Sequence, residues 1–536
     1  VTDKGPIREA DLIMGESYDA RLEQGDWCMP GFNADDWDNA INAEDNGSTK
    51  AIFSDVMGQR EVELGFQKPG RMRAYSGPPV RAIEEITPVS LSEYKPGIYV
   101  FDLGQNFAGN IRLKVKGPAG TKLQIRYGEM THPDGRLMTE NLRRARTTDY
   151  YTLRGDEAGE TWTPRFTYHG FRYVEVTGLP NKPGLDAVTG IVIHSDTPLT
   201  SSFECSDPMV NRLFKNVVWT QRANFIEIPT DCPQRDERLG WMGDAQIYVR
   251  TATYNADVWK VYGDTRIIER HYASMKRFMD FRQKSSPDHK GVSIGNPWGD
   301  WLNLNETTPV EYIDACYYAN SAKMMAGMAA AIGREEDAAE YRKLLADITA
   351  AFDREYVQPD GLLKVQTQTA YVLALNFGLL PENDSNLAGD HLAGMIEKNG
   401  FRMATGFLGT KSLLPVLSAT GHQDLAVRLF QGRAFPSWGY EVENGATTVW
   451  ERWDSYTKEH GFDGFAGHNN AAMNSFSHYS FGAVCEWMFR SLAGIDTDGD
   501  APFSGPACGA LSAVVRDRKA GFRLASRPPQ NWRAVS

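Results

Sequence analysis

The hydrophobic period of this chain changes once, near Ser201, and the change divides what it can fold into. Upstream, the runs Tyr99-Val100-Phe101-Asp102, Ile111-Arg112-Leu113-Lys114-Val115 and Leu123-Gln124-Ile125-Arg126-Tyr127 alternate with period two between Gly/Pro turns. That spacing describes an antiparallel β-sandwich spanning residues 86–197. Downstream, Val210, Leu213, Phe214, Val217, Val218 and Gln221 fall on one face of a helix, entered through Asp207 as N-cap and Pro208 at the first helical position. Further helical runs follow at 245–254, 266–283, 312–331, 335–352, 367–376, 389–399, 410–418 and 425–431. Helices in this number, joined by Gly/Asn/Pro loops, predict a helical toroid over 198–495.

Two segments do not share these patterns. Residues 1–85 are rich in Gly, Asp, Asn and tryptophan with little periodicity, and 496–536 are Pro- and Arg-rich, with Arg516, Arg518, Lys519, Arg523, Arg527 and Arg533. This tail has too little apolar surface to offset its ordering entropy, so it is expected to pack poorly and to add no catalytic group. At 536 residues the chain exceeds one ordinary core. A net charge of −12 argues against nucleic acid, and no apolar run approaches a membrane span. The six cysteines lie far apart without paired spacing, which indicates neither a disulfide scaffold nor a zinc site. Unpaired thiols favour a reducing, cytoplasmic setting only weakly; compartment and oligomeric state stay open.

The densest chemistry lies at Thr230-Asp231-Cys232-Pro233-Gln234-Arg235-Asp236-Glu237-Arg238-Leu239-Gly240-Trp241-Met242-Gly243-Asp244-Ala245-Gln246, between one helix-like run ending near Glu227 and another beginning near Ala245. Arg235 and Arg238 can orient carboxylates through charge-assisted hydrogen bonds, and Trp241 offers a flat apolar face beside acids. A sugar site needs that mixture. A charged, capped interhelical loop would also account for the residue types.

Two more blocks stand downstream: Gly445-Ala446-Thr447-Thr448-Val449-Trp450-Glu451-Arg452-Trp453-Asp454-Ser455, and Met473-Asn474-Ser475-Phe476-Ser477-His478-Tyr479-Ser480-Phe481-Gly482. The three blocks, in this order, resemble the signature of glycoside hydrolase family 78, the bacterial α-L-rhamnosidases. The resemblance implies a multidomain fold, with an (α/α)6 barrel catalytic domain preceded by antiparallel β-sandwich domains. The runs 101–106 and 169–176 resemble the family's concanavalin-like domain. Residues 15–21 and the stretch from Trp27 to Trp37 resemble the end of its N-terminal sandwich module, here expected to be incomplete, as the C-terminal domain is expected to be atypical or truncated.

Residue by residue, the resemblance places Glu237 at the family's general acid and Glu451 at its general base. It implies that Asp231 and Asp244 bind rhamnose hydroxyls, that Trp241 forms an aromatic wall and that His478 contacts substrate; Arg235 joins this binding set. Asp300 and Trp301, in Trp298-Gly299-Asp300-Trp301, match a further sugar-contact loop. Trp438, in Pro436-Ser437-Trp438-Gly439, is a weaker candidate, since a lone tryptophan there is better explained by core packing, whereas at Trp301 the two readings are even. The expected substrate is a rhamnosylated glycoside or oligosaccharide, with no cofactor and no metal. Inversion of configuration would place the two carboxyls about 6.5–9.5 Å apart. Two other readings remain: a lyase acting on rhamnosyl-glucuronate linkages, and a non-catalytic carbohydrate-binding relic.

Overall fold

The computed structural model describes residues 5–35, 37, 50–55, 58–63, 74–75, 77–197, 199, 201–253, 265–293, 297–456, 461–462 and 473–494. The tail beyond 495, with Cys508 and its arginines, lies outside these residues, as does much of 1–85. The chain forms two compact units, Val1–Pro198 with Arg222–Leu239, and Leu199–Gln221 with Gly240–Ser536. The change of period therefore marks the boundary between units, with one exception: the stretch 222–239 folds with the β-rich unit although its sequence neighbours are helical.

The β-rich unit is built on one sheet of ten strands: β1 (Ile7–Asp11), β2 (Gly15–Asp19), β5 (Val80–Ile86), β6 (Ser90–Lys95), β7 (Ile98–Val115), β8 (Lys122–Gly128), β9 (Thr148–Thr152), β10 (Glu160–Trp162), β11 (His169–Thr177) and β12 (Val188–Ser195). A separate hairpin pairs β3 (Lys50–Asp55) with β4 (Gly58–Glu63). Pairing in the large sheet is antiparallel except between β2 and β9, which run parallel. The two apolar runs at 99–102 and 111–115 are halves of a single strand, β7. Its register against β11 slips between Phe171 and Tyr173, so residues 103–106 bulge, which bends a strand without ending it. Phe107, Tyr127 and Phe171 fill the core, with ring centroids 4.7 Å apart for Phe107–Phe171 and 4.8 Å for Tyr127–Phe171.

The helical unit begins with α1 (Pro208–Asn224), where the Asp207 carboxylate accepts from the Met209 N–H at 2.9 Å. The sequence pattern carries this helix to about Glu227, but the chain leaves it at Asn224. Phe225–Ile226 and Ile228–Pro229 then pair as the short strands β13 and β14 around Glu227, whose φ is 64°. Aromatic and β-branched residues at these positions favour extended backbone over another helical turn. Next come α2 (Met242–Thr253), α3 (Arg266–Ser285), α4 (Val310–Ala331), α5 (Glu335–Tyr356), α6 (Gln368–Phe377), α7 (Glu382–Lys398), α8 (Phe407–Ala419), α9 (Gln423–Phe430) and α10 (Trp438–Glu443).

These helices form hairpins with an inner and an outer member. α6 is buried continuously from Gln368 to Ala374, and α4 and α8 are buried on most sides, whereas α5 buries only a stripe through Ala338, Tyr341, Leu344, Ile348 and Phe352. α4 packs on α5, α6 on α7 and α8 on α9, while α4 also meets α6 and α6 meets α8. A helix apolar all round belongs inside such an array, and an amphipathic one outside. The loops entering the inner helices are tied together: Leu304 N–H donates to Ala404 O at 2.9 Å, Gln368 N–H to Glu306 at 2.7 Å and the Gln368 side chain to Arg402 O at 3.1 Å. No described helix is long and apolar enough to cross a membrane.

Candidate active site

The candidate residues divide between the units. Asp231, Arg235 and Glu237 belong to the β-rich unit; Trp241, Asp244, Asp300, Trp301, Glu451 and His478 belong to the helical one.

In the first group the chain closes on itself. Asp231 N–H donates to Leu239 O at 3.0 Å, and Leu239 N–H donates to the Asp231 carboxylate at 2.8 Å. Arg238, inside this ring, has φ 41°, a conformation that costs a non-glycine residue about 1–3 kcal/mol. Its guanidinium explains how the strain is held. It donates to Arg235 O at 3.1 Å, Leu12 O at 2.6 Å, Tyr168 O at 2.9 Å and Gln234 O at 3.3 Å, and lies over the Tyr168 ring. The sequence offered both arginines as carboxylate partners. Arg235 is one, with Nη2 3.0 Å from Glu237 Oε2 and 3.6 Å from Asp231 Oδ2, whereas Arg238 clamps carbonyls. Gly170 completes the seat: a Cβ there would stand 2.9 Å from Gln234 N and 2.6 Å from the Pro233 ring.

Arg143 was not singled out in the sequence. Its Nη1 donates to Glu237 Oε2 at 2.8 Å, and its Nε forms a salt bridge with Asp236 Oδ1 at 2.9 Å. The only trace in the sequence is the basic string Arg143-Arg144-Ala145-Arg146, outside any periodic run.

Asp231, Cys232 and Glu237 bring potential ligand atoms within 4.8 Å of one another. Their chemistry does not fit a metal. Burial pushes the Cys232 thiol well above its ordinary value, its proton is donated to Asp231 at 2.7 Å, and both carboxylates face Arg235.

In the helical unit, Asp244 sits in the first turn of α2, where a carboxylate suits the helix dipole. Its Oδ1 accepts from Ser480 Oγ at 2.6 Å and meets His478 Nε2 at 2.8 Å. Burial alone would raise this carboxyl; the hydrogen bonds from His478 and Ser480 outweigh it and hold Asp244 below its ordinary value. Trp241, just ahead of α2, is exposed.

Glu451 is buried and held in a two-bond ring: its N–H donates to Ser475 O at 2.9 Å, and its Oε2 accepts from Ser475 N–H at 3.0 Å. His478 N–H donates to Val449 O at 2.8 Å, so the second and third sequence blocks run side by side and carry Glu451 and His478 together. The imidazole lies against Phe407, centroids 5.6 Å apart, and Phe407 N–H donates to Trp301 O at 2.9 Å. Asp244, His478, Glu451 and the Asp300–Trp301 loop are thus contiguous, with Phe407 and Ser480 as members the sequence reading lacked.

Asp300 was expected to touch sugar, and the geometry around it is different. Both oxygens are occupied by protein donors: Thr369 Oγ1 at 2.5 Å, Gly406 N–H at 2.7 Å, Leu408 N–H at 2.7 Å and Gly409 N–H at 3.3 Å. The carboxylate caps α8 from another loop and pins the strained segment that presents Trp298 and Trp301, whose rings meet edge to face at 5.2 Å. Leu302 and Asn305, with φ 62° and 61°, carry the strain. Trp438 is fully buried and donates from Nε1 to Phe481 O at 2.9 Å, a core residue.

Comparison with known proteins places this architecture among six-hairpin glycosidases. The six-hairpin glycosidase domain of bacterial α-L-rhamnosidases matches residues 198–262 and 256–492, their concanavalin-like domain 92–194 and their N-terminal domain 1–81. The chain belongs to the bacterial α-L-rhamnosidase family. It is 40% identical over 572 residues to an α-L-rhamnosidase of Streptomyces avermitilis, covering 98% of this chain and 52% of that relative. The crystal structure of the Streptomyces avermitilis enzyme complexed with L-rhamnose superposes with a TM-score of 0.81 at 39% identity, covering 92% of this chain and 49% of that one. An α-L-rhamnosidase from Dictyoglumus thermophilum follows at a TM-score of 0.79 and 30% identity, covering 91% and 57%. The chain spans about half the length of the relatives it matches.

Proposed function

We propose that this chain is an inverting glycoside hydrolase that removes terminal α-L-rhamnosyl residues from glycosides or oligosaccharides, with Glu237 as general acid and Glu451 as general base. One carboxyl must protonate the departing oxygen and the other must activate water. Asp231, Asp244 and His478 bind sugar hydroxyls, Trp241 and Trp301 supply aromatic faces, and Arg235 orients Asp231 and Glu237. Asp300 acts from behind Trp301 by fixing its loop. The observation that carries the reading is that a chain of this family has carboxylates of fixed direction at both motif positions, Glu451 on the Ser475 backbone and Glu237 between two arginines; the arginines orient Glu237 and do not supply its proton.

The test uses two leaving groups. A nitrophenolate departs with little protonation, so Glu237→Gln slows nitrophenyl α-L-rhamnoside hydrolysis less than hydrolysis of an alkyl or sugar rhamnoside. Glu451→Gln slows both by similar factors, on the order of 10²–10⁴. The reverse pattern exchanges the two roles. A product with new ultraviolet absorbance in place of free rhamnose makes the chain a lyase, and no release at all leaves only sugar binding.

A further inference from the structure

We infer that Arg143 is a positioning residue for the acid Glu237, supplied by the concanavalin-like domain rather than by the six-hairpin domain whose family match contains Glu237; this rests on the role proposed above for Glu237. The guanidinium reaches two consecutive acids with two different nitrogens, Nη1 to Glu237 Oε2 at 2.8 Å and Nε to Asp236 Oδ1 at 2.9 Å. Arg235 reaches the same Glu237 oxygen at 3.0 Å. The Nη1 contact is a hydrogen bond and gives the Glu237 carboxyl a direction, while the Nε contact to Asp236 is an ion pair that anchors the guanidinium plane, which a point charge on a flexible stem would not do. Arg143 and Glu237 are both largely shielded, with side chains 16% and 13% exposed, so this ion pair is screened less than one on open surface.

The segment bearing Arg143 is itself fixed. Arg143 has φ 58° and Thr147 φ 46°, conformations that persist only where the surroundings enforce them. Those surroundings are visible on both sides. Asn141 donates to buried Glu129 at 3.0 Å, and Thr147 Oγ1 donates to Gln234 O at 3.3 Å within the signature stretch. Arg146 adds a salt bridge to Glu9 at 2.9 Å. A mere surface ion pair requires none of this support. A general acid does require it, because proton delivery depends on the direction in which the carboxyl points.

The experiment compares Arg143→Ala and Arg143→Lys with Glu237→Gln on nitrophenyl and alkyl α-L-rhamnosides, with added guanidinium ion as a rescue arm. Arg143→Ala is expected to lower kcat on the alkyl substrate ~10²-fold and on the nitrophenyl substrate less than ~10-fold, reproducing the bias of Glu237→Gln. Millimolar guanidinium restores part of the alkyl rate to Arg143→Ala and none to Glu237→Gln. Arg143→Lys keeps the charge but not the fork, and shows the same bias in weaker form; it carries the comparison alone if the alanine variant does not fold. Equal loss on both substrates, or no loss, in a folded variant overturns the proposal while the bias of Glu237→Gln stands. If Glu237→Gln itself shows no bias, the acid assignment fails and the role of Arg143 fails with it.

Discussion

Glu441 shows how a single residue can set a measurable property without touching substrate. Its side chain is buried beneath the second sequence block, with Oε2 accepting from the Trp450 N–H at 3.4 Å, and burial holds its carboxyl well above its ordinary value of 4.5 despite that bond. The folded state therefore keeps a proton that the unfolded chain releases above about pH 4.5. Stability must fall as pH rises from there toward the folded value, by up to about 1.4 kcal/mol per pH unit. Glu441→Gln keeps an acceptor for Trp450 and removes the ionisation. It should melt higher than the parent above about pH 4.5, with a gap that grows as pH rises from there in calorimetry; a gap that does not change with pH would mean that Glu441 does not titrate in this way. Nothing in the sequence Gly439-Tyr440-Glu441-Val442 separates this buried acid from its exposed neighbour Glu443. At this scale the sequence identifies chemical types at motif positions, as with Glu451 and His478. It does not say which arginine meets which acid, because Arg143 and Glu237 are 94 residues apart and no local pattern links them.

Among the elements, the helices were the most legible. Every run with a 3.6-residue period forms a helix, because burying one apolar face demands that spacing whatever the partner. The loops were less so. The Trp298–Trp301 segment reads as a sugar-contact loop, but its shape depends on Asp300 capping α8, a relation between residues about a hundred positions apart. Asp300→Ala would orphan the buried N–H groups of Gly406 and Gly409 and the part-buried one of Leu408, at a cost on the order of 2–4 kcal/mol. The expected result is a lower melting temperature together with a raised KM for rhamnosides, since Trp301 loses its fixed loop. Gly406→Ala should act alike, because a Cβ there would come within 2.2 Å of Trp301 O. A variant with lowered stability but unchanged KM would separate the cap from substrate binding. β7 was read as two strands, since a bulge interrupts alternation just as a turn does.

For the molecule as a whole, the acid and base roles proposed for Glu237 and Glu451 predict the stereochemical outcome. Proton NMR of the first minutes of hydrolysis of an α-L-rhamnoside should show β-L-rhamnose accumulating before mutarotation; α-L-rhamnose as the first product would require a nucleophile in place of a base. The assignment of 222–239 to the β-rich unit was not legible, because helices flank that stretch on both sides. What draws it there is the Arg238 guanidinium reaching Leu12 O and Tyr168 O, together with Gly170 yielding space to Pro233 and Gln234.

The Arg238 clamp bears on how such a protein can be inherited. A recombination joint near residue 198 would look harmless, because it separates strands from helices and preserves every residue of the six-hairpin match. Yet the newcomer's Arg238 would have to find carbonyls at the equivalents of Leu12 and Tyr168, and its Glu237 an arginine at the equivalent of Arg143. A chimera between two diverged relatives should therefore lose function at that joint where the upstream partner lacks an arginine at the equivalent of Arg143, and regain it when that one residue travels with the barrel, so that a residue outside the helical match is inherited as part of it.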